Sequence, residues 1–390
     1  MKKVCIITAT RAEYGLLKPV MNEIRRHEEL ELQIIVTGAH LSPEFGLTYR
    51  EIENDGFTIA DKVEMLLSSD TCVGITKSMA VELMGMADAY KRCYPDMVVV
   101  LGDRYEILIA AIAAMIARIP IAHIHGGEIT EGAYDDAIRH AITKMSQLHF
   151  TSTEEYRNRV IQMGELPDKV YNVGALGVEN TKKISLLSRS ELEQSMNFSF
   201  DLNTIMVTYH PVTLEDIPSK RQFQNLLNVL EKHKELKVIF TKANADTDGR
   251  IINEMIDAYV RKNSKQCTAY TSLGQVRYLS SLQFCRAVVG NSSSGIIEAP
   301  SFHVPTVDIG DRQRGRIAAK TVIHCGYEEE EIDRALQRAI SAEFGNKVSL
   351  CPNPYEKADT SKKIVEEIQE NLSKGLNLKK KFYDLDVGRE

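Results

Sequence analysis

Six residues late in the chain, Gly290-Asn291-Ser292-Ser293-Ser294-Gly295, follow an apolar run at 287–289 and precede a helix-compatible stretch that carries Glu298. The pattern reads as a strand, a small-residue turn and a helix start. The first N–H groups of a helix lack partners inside the helix, and small hydroxyls beside them admit close approach, so such a turn suits a phosphate. A plain serine cap uses the same residues. Glu298, about one and a half helical turns past Ser293, is placed to grip ribose hydroxyls. Further on, Asp308-Ile309-Gly310-Asp311-Arg312-Gln313-Arg314-Gly315-Arg316 brings three arginines after another apolar run. Arg312 suits a bidentate contact to an anion, although arginine clusters also serve as solvated faces. A nucleoside diphosphate is the ligand class these residues suggest.

The first half carries the acids. Leu101-Gly102-Asp103-Arg104-Tyr105-Glu106 ends an apolar run with glycine and then presents a carboxylate beside a guanidinium. Asp103 reads as a catalytic carboxylate or as a helix N-cap partnered by Arg104. His123-Ile124-His125-Gly126-Gly127-Glu128 follows the next run, where a period of two would point both imidazoles to one face. The two glycines would let backbone approach a ligand. The same pair could form a metal-binding edge completed by Glu128 or Asp103. Glu131, Asp135, Asp136 and His140 come next, and carboxylates crowded together raise at least one pKa toward the range an acid or base needs. Asp135 and Asp136 would also sit well at a helix N-terminus.

Other candidates lie at the ends of further apolar runs. Arg11 and Glu13 fall in Thr10-Arg11-Ala12-Glu13-Tyr14-Gly15, where Arg11 could reach a phosphate and Glu13 could simply favour a helix start. His40, in Thr37-Gly38-Ala39-His40, reads as a loop residue or polar rim. His210, in Tyr209-His210-Pro211, could meet a diphosphate or shuttle a proton. Asp246, within residues 244–249, could bind ligand or form an Asx turn.

Short β-branched runs at 4–8, 32–36, 97–101, 119–124 and 170–173 alternate with helical stretches at 16–27, 106–117, 135–147 and 153–163. Such alternation predicts a parallel sheet with crossover helices. The second half repeats it, with strands at 204–208, 237–241, 287–289 and 306–309 and helices at 222–232, 247–262 and 274–281. The expected architecture is α/β: two Rossmann-like doubly wound domains, 1–180 and 181–355, facing across a cleft. A helix and tail at 356–390 would pack back on the first. The first domain would supply the acid and base groups, the second the nucleotide site.

A chain of 390 residues with net charge −6 and no basic, aromatic-rich block does not suit nucleic acid. Seven cysteines stand without paired spacing, which fits a reducing compartment. With no secretory signal and no apolar stretch of membrane-spanning length, a cytoplasmic protein free of membrane is expected.

Six motifs occur in one order over roughly residues 1–320: Thr-Arg-Ala-Glu-Tyr-Gly, Leu-Gly-Asp-Arg, His-Ile-His-Gly-Gly-Glu, the Asp135-Asp136 to Lys144 segment, Gly-Asn-Ser-Ser-Ser-Gly and Gly-Asp-Arg-Gln. Together they resemble the hydrolysing UDP-N-acetylglucosamine 2-epimerases of bacterial sialic-acid synthesis. The resemblance implies a two-domain GT-B-like fold, no metal in the chemistry, and release of UDP with formation of N-acetylmannosamine; no cofactor and a homodimer or homotetramer are expected. It implies catalytic roles for Asp103, Glu128, Asp135 and His125, the last at a position where some relatives carry glutamate, and a role for His210 at the diphosphate. It assigns Arg11, Ser292, Ser293, Glu298 and Arg312 to the nucleotide. Glu13, Arg104, Asp136, His140, Asp246, Asn291, Ser294 and Gly295 complete the expected substrate-binding set. The alternatives are the same chemistry on a UDP- or GDP-linked 2,4-diacetamido-trideoxy sugar, a metal-dependent hydrolase, a glycosyltransferase, and a silent nucleotide-sugar sensor.

Overall fold

The computed structural model describes residues 1–67, 69, 71–131, 133–212, 217–243 and 249–385. They form two compact units, one from residues 1–128, 135–180 and 355–390, the other from 129–134 and 181–354. Residues 129–134, inside the first domain of the expected division, thus group with the second unit.

In the first unit seven parallel strands are β1 (Lys2–Thr8), β2 (Leu30–Thr37), β3 (Asp61–Val63), β4 (Met97–Leu101), β5 (Ile121–Ile124), β6 (Leu148–Thr151) and β7 (Val170–Asn172), in the order β3-β2-β1-β4-β5-β6-β7. All five residues of β4, Met-Val-Val-Val-Leu, are buried, as a parallel strand covered on both faces requires. The second unit holds β8 (Thr204–Thr208), β9 (Lys237–Thr241), β10 (Cys267–Tyr270), β11 (Ala287–Gly290), β12 (Thr306–Ile309) and β13 (Val322–Cys325), ordered β10-β9-β8-β11-β12-β13. In each sheet the order in which successive strands are added reverses once, between β1 and β4 and between β8 and β11. Ligands of open α/β sheets gather at the carboxyl ends beside that reversal.

Several elements depart from the sequence expectation for physical reasons. β5 starts at Ile121, not 119, because Pro120 lacks an N–H. The first helix, Arg11–Arg26, begins five residues early, since the Thr10 hydroxyl accepts the Glu13 N–H and caps it. The longest helix, Cys72–Cys93, was not expected. It buries Gly74, Ser78, Glu82, Met86, Ala89, Tyr90 and Cys93, a face too polar and too small to show an apolar stripe. The helix Thr360–Lys374 places Ile364, Val365, Ile368 and Leu372 in the core of the first unit. Among the described residues no helix is long and apolar enough to cross a membrane.

Candidate active site

Asp103 follows β4 at the reversal of the first sheet. Gly102 turns the chain there with φ +80°, a conformation that favours glycine. His123 on β5 holds that turn: its ring Nε2 lies 2.8 Å from the Gly102 carbonyl and its Nδ1 3.1 Å from the Thr143 hydroxyl. A carbonyl only accepts, so Nε2 carries the hydrogen and Nδ1 takes the threonine proton. Burial pushes the His123 pKa down to about 3, which keeps the ring neutral. The Asp103 carboxylate then pairs with Nη2 of Arg139, a residue buried in the helix Asp135–Met145.

These contacts overturn the metal-edge reading of His123 and His125. Both His123 nitrogens are committed to the protein, and His125 lies past the strand end with φ +66°, so the period of two does not reach it. Among the described residues no three His, Cys, Asp or Glu side chains gather to hold a metal ion. His123→Gln, which can still donate to Gly102, is expected to stay within about threefold of the parent turnover, whereas His123→Ala should lose at least about tenfold. Steady-state rates of both variants test the brace.

Glu128 and His125 form a second buried pair. Glu128 accepts the Ser152 hydroxyl at 2.9 Å and lies 3.7 Å from His125 Nδ1. Packing requires the glycines between them. A Cβ on Gly127, at φ +79°, would stand 2.5 Å from the Tyr156 carbonyl, and Arg159 donates to the Gly127 carbonyl at 2.6 Å. Asp135 and Asp136 occupy the first turn of their helix, where negative charge is favoured. His140 Nε2 lies 3.5 Å from Asp136, its Nδ1 has no hydrogen bond among the described residues, and burial lowers its pKa.

Four other candidates are drawn into internal contacts. Arg104 donates Nε and Nη2 to the buried Glu106, at 3.1 and 3.0 Å, and lies 3.8 Å from Glu13. The Glu13 carboxylate turns back to accept the Ala9 N–H at 2.8 Å. Burial, opposed by Arg104 and aided by Glu106, raises its pKa to about 7. Arg11 pairs with Glu51 at 2.8 Å. His40 is no rim residue: fully buried and held near pKa 4 by burial, it bridges the hydroxyls of Thr8 and Thr48 at 3.0 and 2.8 Å.

In the second unit the reversal brings His210 after β8 beside the serine turn after β11. Asn291 is wholly buried and clamps the His210 backbone, accepting its N–H at 2.7 Å and donating to its carbonyl at 2.8 Å. The Asn291 carbonyl in turn accepts Arg312 Nη1 at 3.0 Å and Gln313 Nε2 at 2.8 Å. Gly290 must be glycine, since at φ +136° a Cβ would collide with the Thr208 carbonyl. Ser292 caps the helix by accepting the Ser294 N–H, and the Tyr278 hydroxyl donates to Ser294 at 2.6 Å. A Cβ on Gly295 would press on Thr306.

The helix itself is shorter than expected. It spans Ser293–Ile297, and Glu298 is its C-terminal cap, because Pro300 turns the chain into a 3-10 segment. Arg316 donates to the Ile129 carbonyl at 2.9 Å and Arg314 lies 3.6 Å from Glu131, so two of the three arginines hold the 129–134 segment and Arg312 alone meets the serine turn. Asp246 lies outside the described residues. Asn291→Ala should destabilise the second unit by freeing the His210 backbone and the serine turn together, measured as a lower urea midpoint.

Reading of the sequence missed Arg139, the bracing role of His123, and Asn291 as a clamp. Only Arg139 left a signal, a cation one helical turn past Asp136 on a helix already suspected.

Comparisons with known proteins bear on the family and the fold. Residues 22–369 match the family model described as UDP-N-acetylglucosamine 2-epimerase. A Campylobacter jejuni subsp. jejuni protein named GDP/UDP-N,N'-diacetylbacillosamine 2-epimerase (hydrolyzing) is 42% identical over 384 residues, covering 98% of this chain and 99% of the relative. The Escherichia coli polysialic acid biosynthesis protein P7 is 38% identical over 386 residues, covering 99% and 98%. A solved UDP-GlcNAc 2-epimerase from Neisseria meningitidis, bound to UDP-GlcNAc, superposes with a TM-score of 0.77 at 20% identity, covering 95% of this chain and 100% of that one. That likeness bears on the GT-B-like fold, while the family model and the two relatives carry the assignment. This chain belongs to the UDP-N-acetylglucosamine 2-epimerase family and is an enzyme of its hydrolysing kind.

Proposed function

We propose that the enzyme converts UDP-N-acetylglucosamine and water into N-acetylmannosamine and UDP. The observation that carries the reading is the Asp103–Arg139 pair at the reversal of the first sheet, which sets a carboxylate against a buried guanidinium at a strand end. The carbon-2 proton has no adjacent carbonyl to acidify it, so departure of UDP from carbon-1 must build positive charge on the ring first. Asp103 stabilises that charge, and the buried Glu128, beside His125, takes the carbon-2 proton to leave a glycal. Water then adds across the double bond, with its hydroxyl at carbon-1 and a proton returned to the opposite face of carbon-2. Asp135 assists the addition. His210, the serine turn and Arg312 take up the charge on the leaving diphosphate. No step needs a redox partner.

A second reading is supported by the 42% relative and by a Legionella pneumophila protein, 35% identical, named UDP-N,N'-diacetylbacillosamine 2-epimerase (hydrolyzing). Here the same chemistry acts on a 2,4-diacetamido-trideoxy sugar carried by UDP or GDP. NMR of the protein with each nucleotide sugar in deuterated water decides. The first reading expects N-acetylmannosamine with deuterium at carbon-2 and no acceptor requirement, and turnover of the diacetamido substrate alone would replace it by the second.

All seven cysteines are free, which supports a reducing, cytoplasmic setting. The exposed Val73 and Met84 on Cys72–Cys93, with Met115 and Ile116 at the end of the next helix, support a homo-oligomer.

A further inference from the structure

The helix Asp135–Met145 carries Asp135, Asp136, Arg139 and His140 toward its N-terminal end. Its other end is closed by a residue more than two hundred positions away. Lys380 Nζ donates to the carbonyls of Lys144 and Ser146, at 2.7 and 2.8 Å. The last carbonyls of a helix have no partner within it, and a cation placed there answers both the missing hydrogen bonds and the dipole.

The same ammonium lies 2.8 Å from Glu165, a carboxylate with 1% of its side chain exposed. Glu165 also takes Lys144 Nζ at 2.6 Å and His149 Nε2 at 2.9 Å. Burial alone would raise this carboxyl, but the hydrogen bonds from His149, Lys144 and Lys380 outweigh it and hold the group at about 2. Helix end, β6 and C-terminal segment therefore meet on one ionised group. His149 pairs in register with His123, the brace of the Asp103 turn, so the clamp and the brace sit on neighbouring strands.

The segment is docked at two more points. The Tyr383 N–H donates to the Gly164 carbonyl at 2.9 Å. Lys144 Nζ stands 5.0 Å from the centroid of the Phe382 ring, and that ring covers Gly164, whose φ of +89° and lack of a Cβ leave it room. A terminal stretch without such ties would be expected to fray.

We propose that Lys380 is a positioning residue for the reaction: by capping Asp135–Met145 and sharing Glu165 with Lys144 and His149, it holds Arg139 in register with Asp103. The inference rests on the catalytic reading of Asp103. Lys380 meets the C-terminal end of the helix, opposite the end that carries Asp135. It sets where the helix stops, and through the helix where the Arg139 guanidinium stands. Its removal leaves Glu165 with Lys144 and His149, so the fold should survive while the helix end loosens.

Three full-length variants, Lys380→Met, Lys380→Arg and Phe382→Ala, are compared with the parent by hydrogen exchange and by steady-state kinetics. In Lys380→Met, exchange of peptides covering residues 135–146 should rise about three- to tenfold while β1 stays protected. Its kcat should fall about tenfold with KM within twofold, since only the geometry of the reacting groups changes. Lys380→Arg should recover most of both, and Phe382→Ala should show a smaller change of the same kind. Unaltered exchange in Lys380→Met overturns the clamp, and faster exchange with an unchanged kcat overturns the positioning role. A parent protein that turns over no nucleotide sugar would instead defeat the catalytic reading, and the exchange result would still decide whether the clamp exists.

Discussion

Asp103→Asn should lower kcat by at least about a hundredfold while the protein remains folded, because loss of one preformed electrostatic partner of the transition state costs that much or more. The amide keeps the size of the side chain and its oxygen can still accept from Arg139, so the circular dichroism of the folded protein should be retained, although the thermal midpoint should fall because the buried guanidinium has lost its anion. In the proposed mechanism what disappears is the negative charge facing a sugar ring that turns cationic as UDP leaves. KM should move less than kcat, since the ground-state sugar is neutral. Turnover near the parent value in a folded Asp103→Asn protein would remove Asp103 from the chemistry and with it the proposed order of bond breaking.

Arg139→Met should produce the second large effect, and on two readouts at once. Arg139 is nearly fully buried and its guanidinium pairs with Asp103, so its removal breaks a largely buried ion pair and costs about 3–5 kcal/mol of stability. The sign of the accompanying pH effect follows from the pair. A neighbouring cation favours the ionised carboxylate, so without it the Asp103 proton is held to higher pH, and the acid limb of the kcat/KM profile should move upward. A buried cation with a purely structural role would lower stability without shifting that limb. Arg139→Lys keeps the charge but not the planar fork, and should fall between parent and Arg139→Met. Urea unfolding and a pH–rate profile on the three proteins settle the matter.

Acid should also act through the buried imidazoles. Unfolded, His123 and His40 take up protons near the ordinary value of about 6.5, but folded they do so only near 3 and 4, owing to burial. Between those limits the unfolded chain binds more protons, so this contribution is complete above 6.5 and is lost as pH falls toward 3. Glu13 works the other way. Its folded value near 7 lies above the unfolded one, so its contribution is present below about 4.5 and lost as pH rises through 7. His123→Gln should therefore flatten the fall in the urea midpoint between pH 7 and pH 5.

How much of the site was legible depended on the kind of contact. Asp103, Glu128, His210 and the serine turn could be singled out because each follows a buried parallel strand, and strand ends are where open α/β sheets collect polar groups. The bracing of Asp103 could not. His123 and Thr143 are twenty positions apart, and Asp103 and Arg139 thirty-six, so their meeting follows from sheet order and from where a helix packs, neither of which a local pattern records. The reverse error came from local rules taken too far. The alternation that would have paired His123 with His125 stops where β5 ends, and the helix imagined under Glu298 stops at Ile297.

By itself the sequence determined the doubly wound α/β class and the strand ends that carry the acids and the phosphate-type turn. Those properties follow from hydrophobic periodicity and from capping chemistry, which act over a few residues. Tertiary structure alone decided which polar groups are spent on the protein: Glu13 on the Ala9 N–H, Arg104 on Glu106, Asn291 on His210, and Lys380 on the end of a helix that begins at Asp135. The reason is desolvation. A buried charge or amide must find its partner wherever the chain happens to bring one, and that partner is set by packing over hundreds of residues rather than by its neighbours in sequence.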